Sequence, residues 1–414
     1  MNIKNLQNFK KIDALIYMEN CVNKGSPSGF SGDQSVLGEF AAGRLNSFKI
    51  PIVESEIKIK NFSPESCVHN YFIKDDLIPV HPLFYQELCV ANNKNTFRIV
   101  DYVDAFVTAS GRTVLVQKEK STHFLKLHLP YILGRVNRHI PLRKGIAGVE
   151  ISTLVSQHIK SSSLGIGLLP EIKCVGIYAA DNGIDDGSWS YVERCGSITT
   201  STGNDTESIL IPAFSTFAND PLDNVNPVIL DQLCDICNID TLDKFCDVFI
   251  QPLIEAYLKL TFNFGLMPEI NAQNLLFAYN KESKIIYPVL RDMGRVEKLP
   301  YINESVGMLI SCPYKTNKLD KPEDYDYAKT RHSFSFDFKL CGYVIKPLLE
   351  TFCKYKRLDF DTVMIQISQS VGNIMNEYSN LRDYMPHNRV VKGHPQQLLT
   401  VERPYIDCGK PYII

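Results

Sequence analysis

Long apolar runs are missing from this chain of 414 residues. Nowhere do about eighteen apolar residues follow one another, so the sequence predicts no membrane-spanning helix. The lysines near the N-terminus are not followed by an uninterrupted apolar core or a small-residue cleavage site, so a secretory signal peptide is not indicated. We therefore expect a cytoplasmic protein that has no membrane partner.

A large net charge of either sign is also missing. The 44 Lys and Arg residues are balanced by 46 Asp and Glu residues, which leaves a formal net charge of −2. This balance gives no bulk attraction to nucleic acid, so no nucleic-acid partner is predicted. Any site for an anion must be built locally from a few cations.

The cysteines do not complete a metal-binding pattern. Of the 12 cysteines, Cys234 and Cys237 form an isolated CxxC with Cys246 nearby, and no second pair or histidine set accompanies them. Cys408 stands alone near the end, which argues against a C-terminal iron–sulfur cluster. Most of these cysteines are interpreted as small buried residues in a reducing compartment.

Internal repeats and low-complexity linkers are absent as well, so the chain is expected to form packed units. The composition, 44% hydrophobic and 22% charged, is that of an ordinary globular protein. Short apolar segments with period two and longer ones with period three to four predict an α+β fold. The helices are predicted at Gly148–Lys160, Leu242–Leu260, Phe336–Tyr355 and Asp361–Tyr378, with Asp361 as the N-cap of the last one, while Ile12–Met18 fits a helix or a strand.

The stretch from Pro268 to Glu297 is predicted to form a β-hairpin with polar ends. Glu269, Asn271 and Gln273 alternate before one apolar strand, and Asp292 follows the returning strand. Antiparallel pairing would bring these carboxylates and amides together, where they suit Mg²⁺ and a polyphosphate. A solvated hairpin with polar ends is the alternative interpretation.

A second stretch supplies cations. Ser110 and Arg112 lie in a polar turn, and Lys126 and Arg138 follow within or beside apolar β segments. A lone charge in such a setting is costly, which weakens the alternative of a solvated basic face. Arg112, Lys126 and Arg138 together could bind three phosphate groups. The Gly- and Ser-rich segment at 23–33 could also cradle phosphate, but no lysine follows at P-loop spacing, so a plain loop is favoured.

Short segments, in order, resemble one known family. They are Leu77-Ile78-Pro79-Val80-His81-Pro82, Ser110-Gly111-Arg112-Thr113, Lys126-Leu127-His128-Leu129 through Arg138, Ile211-Pro212-Ala213, Glu269-Ile270-Asn271-Ala272-Gln273-Asn274 and Arg291-Asp292-Met293-Gly294. They are similar to elements of the siderophore synthetases that work independently of nonribosomal peptide synthetases, the aerobactin-synthetase (IucA/IucC) family. The similarity extends over roughly residues 20–390.

The resemblance implies a hand-like fold. A remnant of the N-terminal thumb would occupy residues 1–75, with most of the thumb missing. A mixed α/β fingers domain carrying the phosphate-binding cations would occupy 76–225, and a mainly helical palm with the Mg²⁺/ATP hairpin would occupy 226–414. The implied activity is an ATP-dependent ligation in iron acquisition. A carboxylic acid, citrate or a derivative, is adenylated and then condensed with an amine or hydroxyl. A homodimer is the implied assembly.

The same resemblance implies the roles of individual residues. Arg112, Lys126 and Arg138 would be catalytic. ATP would be bound by Ser110, Arg112, Lys126, Arg138, Asn271 and Gln273, and Mg²⁺ by Glu269, Gln273 and Asp292. The chain departs from the family where Asn271 replaces a histidine and where Gly25–Gly32 lacks two histidines and a lysine. An alternative function is therefore a catalytically impaired relative that binds a nucleotide or a partner.

Overall fold

The structure is a computed structural model. It describes residues 2–3, 11–23, 35–43, 47–57, 59–64, 71–74, 77–91, 96–118, 121–133, 136–161, 164–177, 188–298, 334–376, 390–392 and 405–407. Strands and helices are both abundant in these ranges, which confirms the predicted α+β class. None of the helices described there is long and apolar enough to cross a membrane.

The described strands are numbered in chain order. They are β1 Phe48–Ser55, β2 Ile59–Phe62, β3 Ile78–Pro79, β4 Phe97–Val107, β5 Thr113–Lys118, β6 Ser121–Lys126, β7 Ile132–Leu133, β8 Val136–Asn137, β9 Gly167–Leu168, β10 Glu171–Ile177, β11 Trp189–Cys195, β12 Ile198–Thr200, β13 Gly203–Asp205, β14 Ile209–Pro212, β15 Leu266–Met267, β16 Leu275–Asn280, β17 Ile285–Leu290, β18 Glu297–Lys298, β19 Val390–Lys392 and β20 Tyr405–Asp407.

The described helices are numbered in the same way. The α-helices are α1 Lys11–Cys21, α2 Pro82–Ala91, α3 Leu142–Ser161, α4 Ala213–Phe217, α5 Ile229–Ile236, α6 Leu242–Phe245, α7 Gln251–Leu258, α8 Lys346–Lys356 and α9 Phe360–Asn376. Three π-helical segments, Cys246–Ile250, Lys259–Asn263 and Phe334–Ile345, and two 3₁₀ turns, Ser35–Phe40 and Met293–Arg295, join or flank them. The segment at Ile12–Met18, open between helix and strand, lies in α1.

Eight strands form the larger sheet, in the order β2-β10-β11-β6-β5-β4-β1-β3. Every pairing within it is antiparallel. One face of β10 and β11 packs Cys174 and Val192 against Leu142 of α3. The other face contributes Val175 and Tyr191 to a separate core. Because both faces are covered, β10 is buried along its whole length, and charged residues on it are held in an apolar setting.

The smaller sheet contains the predicted hairpin. Its order is β13-β12-β9-β17-β16-β14, and β16 pairs with β17 from Leu275 opposite Leu290 to Asn280 opposite Ile285. The side-chain oxygen of Asn280 accepts the backbone N–H groups of Glu282 and Ser283 at 3.0 Å each, which closes the turn. The hairpin prediction is confirmed.

The helical prediction from Leu242 to Leu260 is correct in outline. The chain is helical there, but two π-helical segments interrupt it, and Pro252 stands at the start of α7. Proline lacks a backbone N–H, so it is tolerated in the first turn of a new helix better than inside a continuous one. Pro347 has the same position in α8.

Two local predictions are wrong. The polar composition of the segment from Thr199 to Ser208 predicts a surface loop, but this segment contains most of the β12–β13 hairpin. Gly203 has a φ of 130°, and its carbonyl accepts the Thr200 hydroxyl at 2.7 Å, so a local hydrogen bond closes the turn, while Ile198 of β12 is buried in the core. Asp361 is also not the N-cap of α9. Asp359 accepts the backbone N–H of Thr362 at 2.9 Å and has that role.

The helix predicted from Gly148 begins earlier, at Leu142. Gly148 lies inside it, at the point where α3 meets its neighbours. A Cβ at position 148 would come within 2.7 Å of a Glu171 carboxylate oxygen and 3.3 Å of the Gly294 Cα. Glycine permits this contact between α3, β10 and the turn after β17.

Gly148→Ala is therefore expected to lower the free energy of unfolding by about 1–3 kcal/mol, because the buried Glu171 carboxylate must move away and the backbone at Gly294 is also crowded. Urea denaturation measures the loss. Gly165→Ala is the matched control, since a Cβ there meets no atom within 4 Å. Equal midpoints for the two variants would contradict a tight contact at Gly148.

Asp231 in α5 makes stability depend on pH. Burial, with a smaller contribution from Asp235, raises the pKa of its carboxyl to about 7. Between its ordinary pKa of 3.8 and about 7 the folded state holds a proton that the unfolded state has lost, so rising pH removes stability across this window.

The asparagine side chain of Asp231→Asn cannot ionise, so the variant does not lose this stability as the pH rises. The free energy of unfolding of the variant, relative to that of the unmodified protein, should therefore be about 1–3 kcal/mol higher at pH 8 than at pH 5. Urea denaturation at the two pH values tests this, with the exposed Asp361→Asn as control. A difference that does not change with pH would contradict the prediction.

Candidate functional site

The end of the larger sheet and the end of the hairpin together line one pocket, which encloses about 360 Å³ when the solvent at its mouth is included. Its walls include six of the eight predicted site residues, namely Ser110, Arg112, Lys126, Arg138, Gln273 and Asp292. The other lining residues are Thr108, Thr113, Arg194, Asn274 and Arg291. Residues more than 180 positions apart in the printed sequence, such as Ser110 and Asp292, thus meet at one place.

The turn that carries Ser110 is rigid. Gly111 has a φ of 75°, a conformation that favours glycine. The Ser110 hydroxyl accepts the Thr113 backbone N–H at 2.9 Å, and the Thr108 hydroxyl donates to the Thr113 carbonyl at 2.8 Å. This β4–β5 turn sets Arg112 at the pocket before any ligand arrives.

Lys126 ends β6 and projects between two carboxylates. Its ammonium group donates a close hydrogen bond to Asp292 and lies 3.5 Å from a carboxylate oxygen of Glu171. Asp292 has a left-handed backbone with a φ of 68°, which is rare outside glycine and is often found where a side chain is held for function. Burial by itself raises the pKa of Asp292, but Lys126 and, more weakly, Arg194 and Arg112 outweigh it and lower that pKa overall.

Arg112 and Arg138 are buried side by side. The Arg112 guanidinium donates to the Arg138 carbonyl at 2.6 Å. Burial and the neighbouring Arg138 lower the pKa of Arg112 to about 9, and burial and Arg295 lower that of Arg138 to about 10. Both groups remain cationic at neutral pH, and their mutual repulsion is relieved when an anion binds.

Charge in the pocket is strongly positive. Five lining residues are cations, namely Arg112, Lys126, Arg138, Arg194 and Arg291, and one is a carboxylate, Asp292. Two buried carboxylates outside the lining pair with these cations: Glu171 with Arg194, and Glu19 with Arg291. The described residues therefore leave an excess of two positive charges, which suits a ligand with several negative charges.

Gln273 is held at the pocket through the backbone. The Arg291 guanidinium donates to the Gln273 carbonyl at 2.7 Å, and the Arg291 backbone N–H donates to the Asn274 carbonyl at 2.9 Å. Arg291 is held in turn by a buried ion pair with Glu19 of α1. The second oxygen of Glu19 accepts the Ala109 backbone N–H at 3.2 Å, so one carboxylate ties the hairpin to the Ser110 turn.

Two predicted site residues are not in the lining of this pocket. The side-chain oxygen of Asn271 accepts the backbone N–H groups of Gln273 and Asn274 at 2.9 and 3.0 Å, so it shapes the turn. The Glu269 carboxylate lies 3.4 Å from the Lys339 ammonium group. Contact of Asn271 and Glu269 with a ligand stays a prediction. The Gly25–Gly32 segment lies outside the described residues.

Sequence reasoning missed four charged residues of the site: Arg194, Glu171, Arg291 and Glu19. Arg194 and Glu171 stand opposite each other on β11 and β10, inside otherwise apolar strands. The argument that selected Lys126, a charge within an apolar β segment, applies equally to both. Glu19 had no such signal, because its partner lies 272 positions along the chain.

The donor set at the pocket fits Mg²⁺ that arrives with phosphate. Within the described ranges no group of three or more His, Cys, Asp or Glu side chains could hold a metal alone. Mg²⁺, however, commonly takes one or two carboxylates and completes its shell with water and phosphate oxygens. Asp292 and Gln273, both in the lining, supply oxygens of that kind.

The thiols of the isolated CxxC are protonated at neutral pH. Burial raises the pKa of Cys234 to about 12 and that of Cys237 to about 11, with smaller effects of neighbouring charges. The structural role of these cysteines stays a prediction. His81 makes a local structural contact. It is buried, its ring nitrogen accepts the Leu83 backbone N–H at 3.3 Å, and burial lowers its pKa to about 4.

Comparison with known proteins gave matches only among solved structures. No family model matches the chain. No curated protein matches it either. The petrobactin biosynthesis protein AsbB from Bacillus anthracis str. Sterne superposes with a TM-score of 0.72 at 15% identity, covering 97% of this chain and 74% of that one.

ATP-bound aerobactin synthetase IucA from a hypervirulent pathotype of Klebsiella pneumoniae superposes with a TM-score of 0.68 at 13% identity, covering 94% of this chain and 74% of that one. The chain shares the fold of these siderophore synthetases. The fold that the motifs implied is thereby confirmed, although identities of 13–15% are too low to transfer a function.

Proposed function

We propose that the chain is an ATP-dependent ligase of siderophore biosynthesis. In this proposal it adenylates a carboxylic acid, citrate or a derivative, and condenses it with an amine or hydroxyl. The observation that carries the proposal is the convergence of Ser110, Arg112, Lys126, Arg138, Gln273 and Asp292 on one cationic pocket. The shared fold with an ATP-bound aerobactin synthetase adds support.

The chemistry requires the charges that line this pocket. A carboxylate oxygen of the acid attacks the α-phosphorus of ATP, the bond to the β-phosphate oxygen breaks, and pyrophosphate leaves. The amine or hydroxyl then attacks the acyl carbon, loses a proton and releases AMP. Negative charge accumulates on phosphate oxygens in the first step, and fixed cations at a buried site offset it without reorganising.

Each residue has a proposed part in these steps. Arg112 and Arg138 grip phosphate oxygens with planar guanidinium groups, while Lys126 contributes a point charge. The Ser110 hydroxyl and the Gln273 amide orient the phosphates. Asp292 and Gln273, joined by Glu269, would hold Mg²⁺, which supplies positive charge to the polyphosphate when bound. The proposal also implies a cytoplasmic role in iron acquisition, and a homodimer as the assembly.

Exchange of radiolabelled pyrophosphate into ATP tests the proposal. The assay is run with a panel of carboxylic acids, citrate first. We expect exchange that depends on the presence of one acid. Arg138→Lys should lower the exchange rate, because a lysine cannot reproduce a bidentate contact with phosphate. Arg98→Lys is the control, since Arg98 is an exposed arginine on β4, outside the pocket lining. Absence of exchange with every acid would refute the ligase.

A second function is favoured by one observation. Asn271 occupies the position of a family histidine, and its side-chain oxygen is already engaged by two backbone N–H groups. A pocket that keeps its cations but lacks that histidine could bind a nucleotide or a partner without catalysis. ATP binding in a thermal-shift assay, with no adenylate formed from any acid, would support this alternative. Turnover to an amide or ester would exclude it.

A further inference from the structure

The ammonium group of Lys126 lies between two acidic side chains that differ in their access to the pocket. Asp292 lines the pocket and accepts the close hydrogen bond from Lys126. Glu171 is not in the lining, and its side chain is only 1% exposed, with one oxygen 3.5 Å from the Lys126 nitrogen. Lys126 therefore contacts Asp292, which lines the pocket, more closely than Glu171, which is buried behind the lining.

Glu171 is buried beside Lys126. Its oxygen Oε1 lies 3.5 Å from the Lys126 nitrogen and accepts the Arg194 guanidinium at 3.1 Å, which fixes the carboxylate. The second oxygen, Oε2, faces Gly148 of α3, where a Cβ would approach to 2.7 Å, and has no hydrogen-bond partner among the described residues. A buried carboxylate with one unpaired oxygen is incompletely compensated, so a closer approach of Lys126 to Oε1 would stabilise it.

A divalent cation at Asp292 would lie close to Lys126. The Lys126 ammonium group already contacts one oxygen of this carboxylate, and Mg²⁺ binds carboxylates as its inner ligands. Two cations at one carboxylate repel each other, so Mg²⁺ at Asp292 favours movement of Lys126 toward another anion. Closing its 3.5 Å separation from Glu171 to a charged hydrogen bond needs a shift of less than about 1 Å.

We propose that Lys126 is a resident counter-ion that occupies the metal position at Asp292, and that Glu171 accepts it when Mg²⁺ binds. Glu171 is a positioning residue in this scheme, because it acts through Lys126 and touches neither metal nor phosphate. The inference rests on the proposed ATP site only where ATP binding is measured, and a test with a metal ion alone does not depend on it.

The first test uses Mn²⁺ alone, without nucleotide. Free Mn²⁺ is followed by electron paramagnetic resonance during titration of the unmodified protein, Lys126→Met and Lys49→Met. Lys126→Met should bind Mn²⁺ about tenfold more tightly than the unmodified protein, because Asp292 loses its competing cation. Lys49→Met, which removes a largely exposed lysine paired with Asp104 at 2.9 Å, should change nothing at Asp292. Unchanged Mn²⁺ affinity in folded Lys126→Met overturns the proposal.

The second test separates positioning from general damage. ATP is titrated calorimetrically with and without Mg²⁺ into Glu171→Gln and into Glu193→Gln, a control at a buried carboxylate on β11. Glu171→Gln should weaken ATP binding about 10-fold or more with Mg²⁺, and less than about twofold without it. Equal losses in both conditions, or no loss, overturn the proposal. If the unmodified protein binds no ATP, the ligase proposal fails. The Mn²⁺ titration still decides whether Lys126 competes with a metal ion at Asp292.

Discussion

Lys126→Met is expected to reduce ATP–pyrophosphate exchange by about 100-fold or more, the size of effect seen when one charge-stabilising group is removed from a buried active site. Lys126 is the one lining residue that contacts both Asp292 and Glu171 among the described residues. Methionine keeps the unbranched shape of lysine and removes the charge, so the loss reports on electrostatics more than on packing.

Lys49→Met is the matched control for this experiment. Lys49 also lies on the larger sheet, but its ammonium group is largely exposed and its pairing with Asp104 contributes little. Both variants are assayed below the temperature at which either begins to unfold, as followed by circular dichroism. Exchange in Lys126→Met within about threefold of the unmodified protein would contradict a role for Lys126 at phosphate.

Glu19→Gln is expected to lower the free energy of unfolding by about 3–5 kcal/mol, because it leaves the buried Arg291 guanidinium without its counter-ion. Glu19 is fully buried and also accepts the Ala109 backbone N–H. The same change should loosen the Ser110 turn against the hairpin, so ATP binding should weaken at temperatures where the variant is still folded.

Urea denaturation measures the loss, and Glu255→Gln is the control. Glu255 pairs with Lys259 one helical turn away at 3.1 Å and is about one-third exposed, so its loss should cost no more than about 0.5 kcal/mol. A double variant, Glu19→Gln with Arg291→Gln, should recover part of the stability because no buried charge is left alone. Similar costs for Glu19→Gln and Glu255→Gln would contradict the importance of this buried pair.

The hairpin and its polar ends were predictable because local signals agree there. Turn residues at Asn280–Ser283 separate two apolar strands, and antiparallel pairing then sets Asp292 and Gln273 at the same end. The cations at Arg112, Lys126 and Arg138 were predictable for a different reason. Each is a charge in an apolar segment, and such a charge needs a partner or a ligand.

Other features depend on contacts between distant parts of the chain. The ion pair of Glu19 with Arg291 joins residues 272 positions apart, and no local pattern marks it. Glu269 shares the period-two alternation with Gln273, yet its carboxylate faces Lys339. The β12–β13 hairpin was missed because every residue after the buried Ile198 is polar or glycine, so no period-two apolar pattern marks its strands.

Titration of ATP and of AMP into the protein, both with Mg²⁺, tests most directly whether the pocket is a polyphosphate site. The lining carries five cations and one carboxylate, with Arg112 and Arg138 buried side by side. We predict that ATP binds about 10-fold or more tightly than AMP, because the β- and γ-phosphates supply the charges these cations lack. Equal affinities for ATP and AMP, or no binding of either, would contradict the assignment of this pocket.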